Sequence, residues 1–435
     1  MTQGMNREIL KIALPAIVTN VTIPLLGLLD TAVSGHLDPT RGAAFIGAVS
    51  VGAMMFNLIY WNLGFLRMGT SGMTAQTFGR GHRGESATVL GYATLMAAGI
   101  GLGIILLQWP LQWLAMLAID PSPGVRGLAI TYFHIGVWGA PATLMSSAVK
   151  GWFLGMQDSR SPMVISIGEN VANIVLSLAL VYLAGMGFKG IILGTVLAQW
   201  GGFLYAAGLL RRKHPAVVAM LNLSGLRDKR FAKRFFLVNS NIFLRSSLIM
   251  LVTLFVMAVG ARKGDMVLAV NSLIMQLLTL FSYFMDGVAF AGEAVVGKYD
   301  GRGDRQSERS CVRHLFAWAI ALTVVASALY ALFPRAIFAT LTSDMAVVDA
   351  SMRYRWWVAA IPVAGMAAFV WDGVFIGLTR TRPMLMAMAV AVAAFFAIYG
   401  LTPSTMGNHG LWLAFVCYLA IRGLVQTVQY TLFRR

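Results

Sequence analysis

Twelve stretches of this chain are too long and too apolar to belong to a water-soluble fold. They cover residues 9–34, 44–78, 86–118, 125–155, 162–185, 190–210, 234–260, 265–298, 308–334, 350–378, 384–401 and 409–432. A helix rises 1.5 Å per residue, so about 20 apolar residues cross a hydrocarbon core roughly 30 Å thick. No water reaches that core to satisfy backbone N–H and C=O groups, which leaves only helices and closed barrels. Barrel strands are short and alternate in polarity, and these runs do neither. The predicted fold class is therefore an all-α integral membrane protein with twelve transmembrane helices. Charge content agrees: 12% of residues are charged and mean hydropathy is +0.73, where a soluble domain carries about 25% charged residues.

A formal net charge of +17 invites a nucleic-acid reading, but Lys and Arg sit in the short connections between runs. The positive-inside bias accounts for them, and no nucleic-acid partner is expected. With the N-terminus in the cytoplasm, the inner segments hold Arg7, Lys11, Arg80, Arg83, Arg160, the cluster at 211–234, Lys298, Arg302, Arg305, Arg309, Arg313, Arg380, Arg382 and Arg434. The outer segments hold far fewer, among them Arg41, Arg126, Lys189 and Arg262. Both termini are expected in the cytoplasm, with no removable signal segment ahead of the first run. The two cysteines, Cys311 and Cys417, exclude a disulfide framework.

An internal repeat organises the chain. KGWFLGMQDSRSPM around Gly151, Gly155 and Pro162 answers DGVFIGLTRTRPM around Gly373, Gly377 and Pro383. Pro141 pairs with Pro362, and Gly79-Arg80-Gly81 with Gly301-Arg302-Gly303, at a constant offset of 221–222 residues. The chain reads as an N-terminal lobe (1–210), a linker (211–233) and a C-terminal lobe (234–435). Six spans per lobe is an even number, so the lobes are parallel repeats about an axis along the membrane normal. The linker reads equally as an amphipathic helix on the inner leaflet or as an ordinary basic loop.

Polar groups at membrane depth carry the functional reading. The first run, ILKIALPAIVTNVTIPLLGLLDTAVSGHL, contains Pro15, Pro24 and Asp30. Proline removes a helical hydrogen bond, so this span is bent or bendable. A carboxylate in hydrocarbon costs roughly 3 kcal/mol on insertion scales, so Asp30 is expected to face a polar cavity and exchange a proton. The alternative is an interfacial Asp at the outer end of the helix. Asn170, Asn173 and Ser177 share one helical face, as do Thr195 and Gln199. These groups can set the ion affinity of Asp30, or they can be helix–helix contacts. In the second half stand Asp286, Glu293 and Asp372, with Arg245. Asp286 and Glu293, two turns apart, line a cation path or lie near the cytoplasmic end. Asp372, at the repeat position of Lys150, is either functional or ion-paired with Arg245.

Other motifs fall away. Gly79 to Gly84 fits G-x-G-x-x-G but follows a membrane helix and has no strand, so it reads as a turn. There is no Walker A sequence, no H-E-x-x-H and no G-x-S-x-G. No enzyme and no metal site are expected, and His134 reads as a satisfied polar contact.

With these residues in view, the chain resembles the MATE (multidrug and toxic compound extrusion) transporter family, specifically its DinF branch. LPAIVTNVTIPLLGLLDTAVSGHL, FLRMGTSGMTAQTFG, NIVLSLALV, FMDGVAFAGEAVVG and WDGVFIGLTRTRP carry the likeness. The resemblance implies twelve helices in two lobes around a V-shaped cavity. It implies a monomer in a bacterial inner membrane that exports small amphipathic, often cationic organic compounds against inward H+ or Na+ flow, with no cofactor beyond the coupling ion. Asp30 then matches the essential first-helix carboxylate, Pro15 the bending proline, and Asn173 and Thr195 polar members of the cation site. Ser177 stands where relatives often carry a second acid, which favours H+ over Na+. Asp286, Glu293 and Asp372 match acidic positions among relatives. A lipid or lipid-linked-precursor flippase of related fold is the alternative, with Arg67, Lys150 and Arg245 as the cations to inspect.

Overall fold

The computed structural model describes residues 2–35, 37, 42–221 and 228–434, with side chains at all of these except 2, 3, 23–29, 32 and 35. Every regular element among them is helical. In chain order these are α1 (Thr2–Gly35), α2 (Gly42–Arg80), α3 (Arg83–Leu106), α4 (Gln108–Ile119), α5 (Pro123–Gly155), α6 (Arg160–Leu183), α7 (Phe188–Lys213), α8 (Pro215–Ala219), α9 (Lys229–Arg262), α10 (Asp265–Arg302), α11 (Arg305–Leu332), α12 (Pro334–Leu341), α13 (Met345–Gly377), α14 (Thr381–Leu401) and α15 (Asn408–Arg434). Among the described residues, eleven helices are long and apolar enough to cross a membrane, and α1 occupies the first apolar run.

The third apolar run, 86–118, is two helices. The chain breaks at Leu107, and α4 restarts one residue on with Pro110 in its first turn. Proline has no N–H to donate, and only a first turn leaves that N–H unneeded. The same logic places Pro123, Pro215 and Pro334 at helix starts. Within 211–233, α7 runs on to Lys213 and is followed by the single turn of α8; residues 222–227 lie outside the described residues.

Contacts divide the chain into two compact units. One is Val18–Asn239; the other joins Met1–Ile17 to Ser240–Arg435. α1 and α9 therefore each contribute to both. The repeated glycines do the same work in each unit. In the first, a Cβ on Gly155 would lie 2.6 Å from the Ser71 carbonyl oxygen, and Gly151 abuts the backbone of Arg67. In the second, a Cβ on Gly377 would lie 2.8 Å from the Glu293 carbonyl oxygen, and Gly373 abuts Ala289. In lipid, helix association rests on such close backbone approach, since burying apolar side chains against each other gains little there. The glycine turns also match. Gly81 (φ 75°) caps α2 and Gly303 (φ 72°) caps α10, each in the left-handed region that favours glycine.

Five membrane helices change pitch internally among the described residues, α13 at the 3-10 turn Met352–Tyr354. α2 and α5 carry 3-10 turns at Asn62–Gly64 and Val137–Gly139. α6 and α10 carry π turns at Ala179–Leu183 and Gly292–Val296, the latter containing Glu293. Such turns concentrate at hinges and functional sites.

Candidate functional site

In the unit Val18–Asn239, polar side chains from α6 and α7 converge on one carbonyl. Asn173 and Ser177, one turn apart on α6, are both buried. Asn173 Nδ2 donates to Thr195 Oγ1 on α7 at 2.8 Å. Thr195 Oγ1 donates to the Ile191 carbonyl at 3.1 Å, and Ser177 Oγ donates to that same oxygen at 3.1 Å. The helices come this close because Gly194 faces Ser177; a Cβ there would lie 2.6 Å from Ser177 Oγ. Asn173 Oδ1 is left without a donor. A buried amide oxygen in that condition is costly by about 1–3 kcal/mol and is suited to accept from a proton carrier or a cation.

α1 approaches this face through Thr22. Asn170 Nδ2 donates to Thr22 Oγ1 at 3.5 Å, and Thr22 Oγ1 donates to the Thr19 carbonyl at 2.7 Å. Asp30 lies two turns further along α1. It is half-buried, and its charge interacts with Tyr132, a buried side chain on α5. Among the described residues Asp30 makes no hydrogen bond and no ion pair, so the structure does not join it to Asn173, Ser177 or Thr195. The other acid at this depth, Glu169, is held by Lys150 Nζ at 3.1 Å. Pro15 is half-buried in the unbroken helix; Pro24 lies in the same helix with its side chain outside the described residues. Sequence reasoning missed Tyr132, whose signal, one tyrosine in an apolar run, is weak.

The second unit treats its acid differently. Asp372 on α13 takes both Arg245 of α9 and Arg422 of α15 on Oδ2, while Gln426 Nε2 donates to Oδ1 at 3.0 Å. All four side chains are buried. Two guanidiniums and an amide leave this carboxylate no free face for a cation. Arg422 and Gln426 stand four apart on α15, a spacing readable in the sequence but not connected there to Asp372. Glu293 is buried and Asp286 half-buried, so the two acids two turns apart sit in different environments. His134 is bracketed by Gln108 and Gln112, each 2.9 Å from a ring nitrogen. That is a satisfied contact. Among the described residues no group of His, Cys, Asp and Glu has metal-binding geometry.

The matched glycine contacts of the two units show the internal repeat in the structure. The MatE family model matches residues 15–179 and 242–400, one segment on each repeat. The chain belongs to the MatE family. DNA damage-inducible protein F of Escherichia coli (strain K12) is 36% identical over 426 residues, covering 96% of this chain and 90% of that protein. Multidrug resistance protein MdtK of Edwardsiella ictaluri (strain 93-146) is 21% identical, covering 97% of this chain and 94% of its own. Among solved structures, MATE in the bent conformation matches with a TM-score of 0.84 at 18% identity, covering 98% of this chain and 94% of that one. MATE in the straight conformation gives 0.84 at 19% identity, covering 98% and 95%. At that identity the structures show the fold alone. The MatE fold and the multi-pass membrane architecture read from the apolar runs and the repeat therefore stand.

Proposed function

We propose that this MatE chain is a proton-coupled exporter of amphipathic organic compounds, working by alternating access, with Asp30 as the protonation switch. The observation that carries the reading is the contrast between two of its intramembrane aspartates, Asp30 and Asp372. Asp372 is locked by Arg245, Arg422 and Gln426, whereas Asp30 has no hydrogen bond or ion pair among the described residues. A carboxylate at membrane depth without a fixed counter-charge is the group whose state a proton can change. Loss of its charge lets α1 move against the polar face of α6, with Pro15 as the bending point. The names of the relatives, multidrug resistance proteins among them, support organic compounds as cargo. The basic connections support a bacterial inner-membrane placement with both termini inside.

The flippase reading calls for uncommitted cations, and those it points to are engaged. Lys150 holds Glu169, Arg245 holds Asp372, and Arg67 has its own partners. Reconstitution in proteoliposomes tests the proposal. An imposed pH gradient should drive uptake or release of a cationic dye, and an equal Na+ gradient at uniform pH should not. Drive by Na+ alone would overturn the proton reading; drive by neither would overturn antiport.

A further inference from the structure

Within the unit Val18–Asn239, a cavity of about 620 Å³ opens at the end of the helices where Arg80, Arg83, Arg160, Arg211, Arg212 and Lys213 concentrate. It lies where α2 turns into α3, with α5 and the α7–α8 junction closing it. His82, Arg83, Lys213 and His214 line it, and Met156 and Val217 supply apolar wall. Two acids stand nearby, and both are already used. Asp158 Oδ2 accepts from Lys213 Nζ at 2.8 Å, and Glu85 accepts from Arg80 at 2.7 Å and lies 3.0 Å from His82 Nδ1. Arg83 is exposed and has no carboxylate partner among the described residues.

The repeat supplies an internal control. Glu308 occupies, 222 residues on, the position of Ser86. In that unit the acids are built in: Arg434 pairs with Glu308 and with Asp300. The first unit has Ser86 in place of the acid, its hydroxyl accepting from Trp152 Nε1 at 3.0 Å. The first unit thus lacks the acid that Glu308 supplies in the second, and of its two cavity cations Lys213 is shared with Asp158 while Arg83 has no carboxylate partner among the described residues.

We propose that the cavity at the α2–α3 turn binds a phosphate group, with Arg83 and Lys213 as its cationic contacts and the apolar wall accommodating the group's carrier. Arginine forks bidentately onto phosphate and lysine binds it as a point charge. The charge supply fits an anionic phospholipid headgroup at the inner leaflet, which attracts basic residues near the surface; free inorganic phosphate shares the chemistry. His214 tunes the site. Burial lowers its pKa below the ordinary value, the Asp158 charge pulls it back, and Lys213 and Arg83 push it down again. The ring packs edge-on against Trp152 at 5.0 Å. An anion seated there returns proton affinity to His214, so binding tightens as pH falls through the histidine range and weakens as pH rises.

The test uses the full-length protein in detergent, titrated with short-chain phosphatidylglycerol, short-chain phosphatidylcholine and inorganic phosphate. Binding of phosphatidylglycerol, with at least tenfold weaker binding to Arg83→Gln/Lys213→Gln and retention in Arg83→Lys, is the expected result. Binding of inorganic phosphate alone, lost in the same double variant, assigns the site to free phosphate. Equal binding of phosphatidylglycerol by wild type and the double variant, or no binding of either phosphate, overturns the proposal. The unfolding temperature of the unliganded variants controls for folding. The outcome is independent of the transport reading, which the proteoliposome gradients test separately.

Discussion

Replacing Asp30 with asparagine should abolish proton-driven accumulation while the protein still folds and still binds cargo. The expectation of normal folding comes from the surroundings of Asp30. It makes no hydrogen bond or ion pair among the described residues, so an isosteric amide breaks none. The magnitude follows from the driving force. Exchange of one proton for one monocation moves no net charge, so the imposed pH difference alone drives it: each pH unit is worth about 1.4 kcal/mol per proton and sustains a roughly tenfold cargo ratio. Asp30→Asn should run down to a ratio near one. The readout is steady-state dye distribution in proteoliposomes under an imposed pH gradient, with cargo binding in detergent as the folding control. Full accumulation by the variant would remove Asp30 from the coupling scheme.

Asp372→Asn should fail in the opposite way. Here the carboxylate is buried and holds two buried guanidiniums, Arg245 and Arg422. Neutralising it leaves like charges facing each other in low dielectric, and breaking a buried pair from one side costs about 3–5 kcal/mol. Against a typical total of about 5–15 kcal/mol, that is a large share. The expected result is a marked loss of monodisperse protein and a lowered unfolding temperature, before any transport defect can be read. Replacing the whole cluster with apolar residues of similar size (Arg245→Met, Asp372→Leu, Arg422→Met) should recover much of the loss, because the desolvation penalty disappears with the charges. An Asp372→Asn protein as stable as wild type would show that the cluster is not structural and would reopen Asp372 as an ion ligand.

These two aspartates also mark how far the sequence could be read. Helix number, the repeat and its glycines were legible because each follows from local pattern. Apolar length sets a span, and a glycine pair four residues apart at matched positions sets a close helix contact, seen at Gly151 and Gly155 and again at Gly373 and Gly377. Pro110 was also on the page, yet the apolar run through it hid the break at Leu107. What the sequence could not show is which polar groups meet. Asn173 and Ser177 share a face by spacing alone, but only packing decides that Thr195 comes to Asn173 and that Ser177 turns to the Ile191 carbonyl. Arg422 reaches Asp372 across 50 residues of chain, a pairing that no periodicity encodes. The π turn at Gly292–Val296 likewise leaves no mark in hydropathy, though it seats Glu293 in a fully buried position.

The most direct measurement of the central claim is proton release on cargo binding. Purified protein in weakly buffered detergent solution, at about pH 5, is mixed with a cationic substrate while a pH indicator is followed. If cargo and proton compete through Asp30, wild type releases close to one proton per cargo bound, and Asp30→Asn releases none while binding the same cargo. Equal release from both proteins, or none from wild type at saturating cargo, would contradict the account.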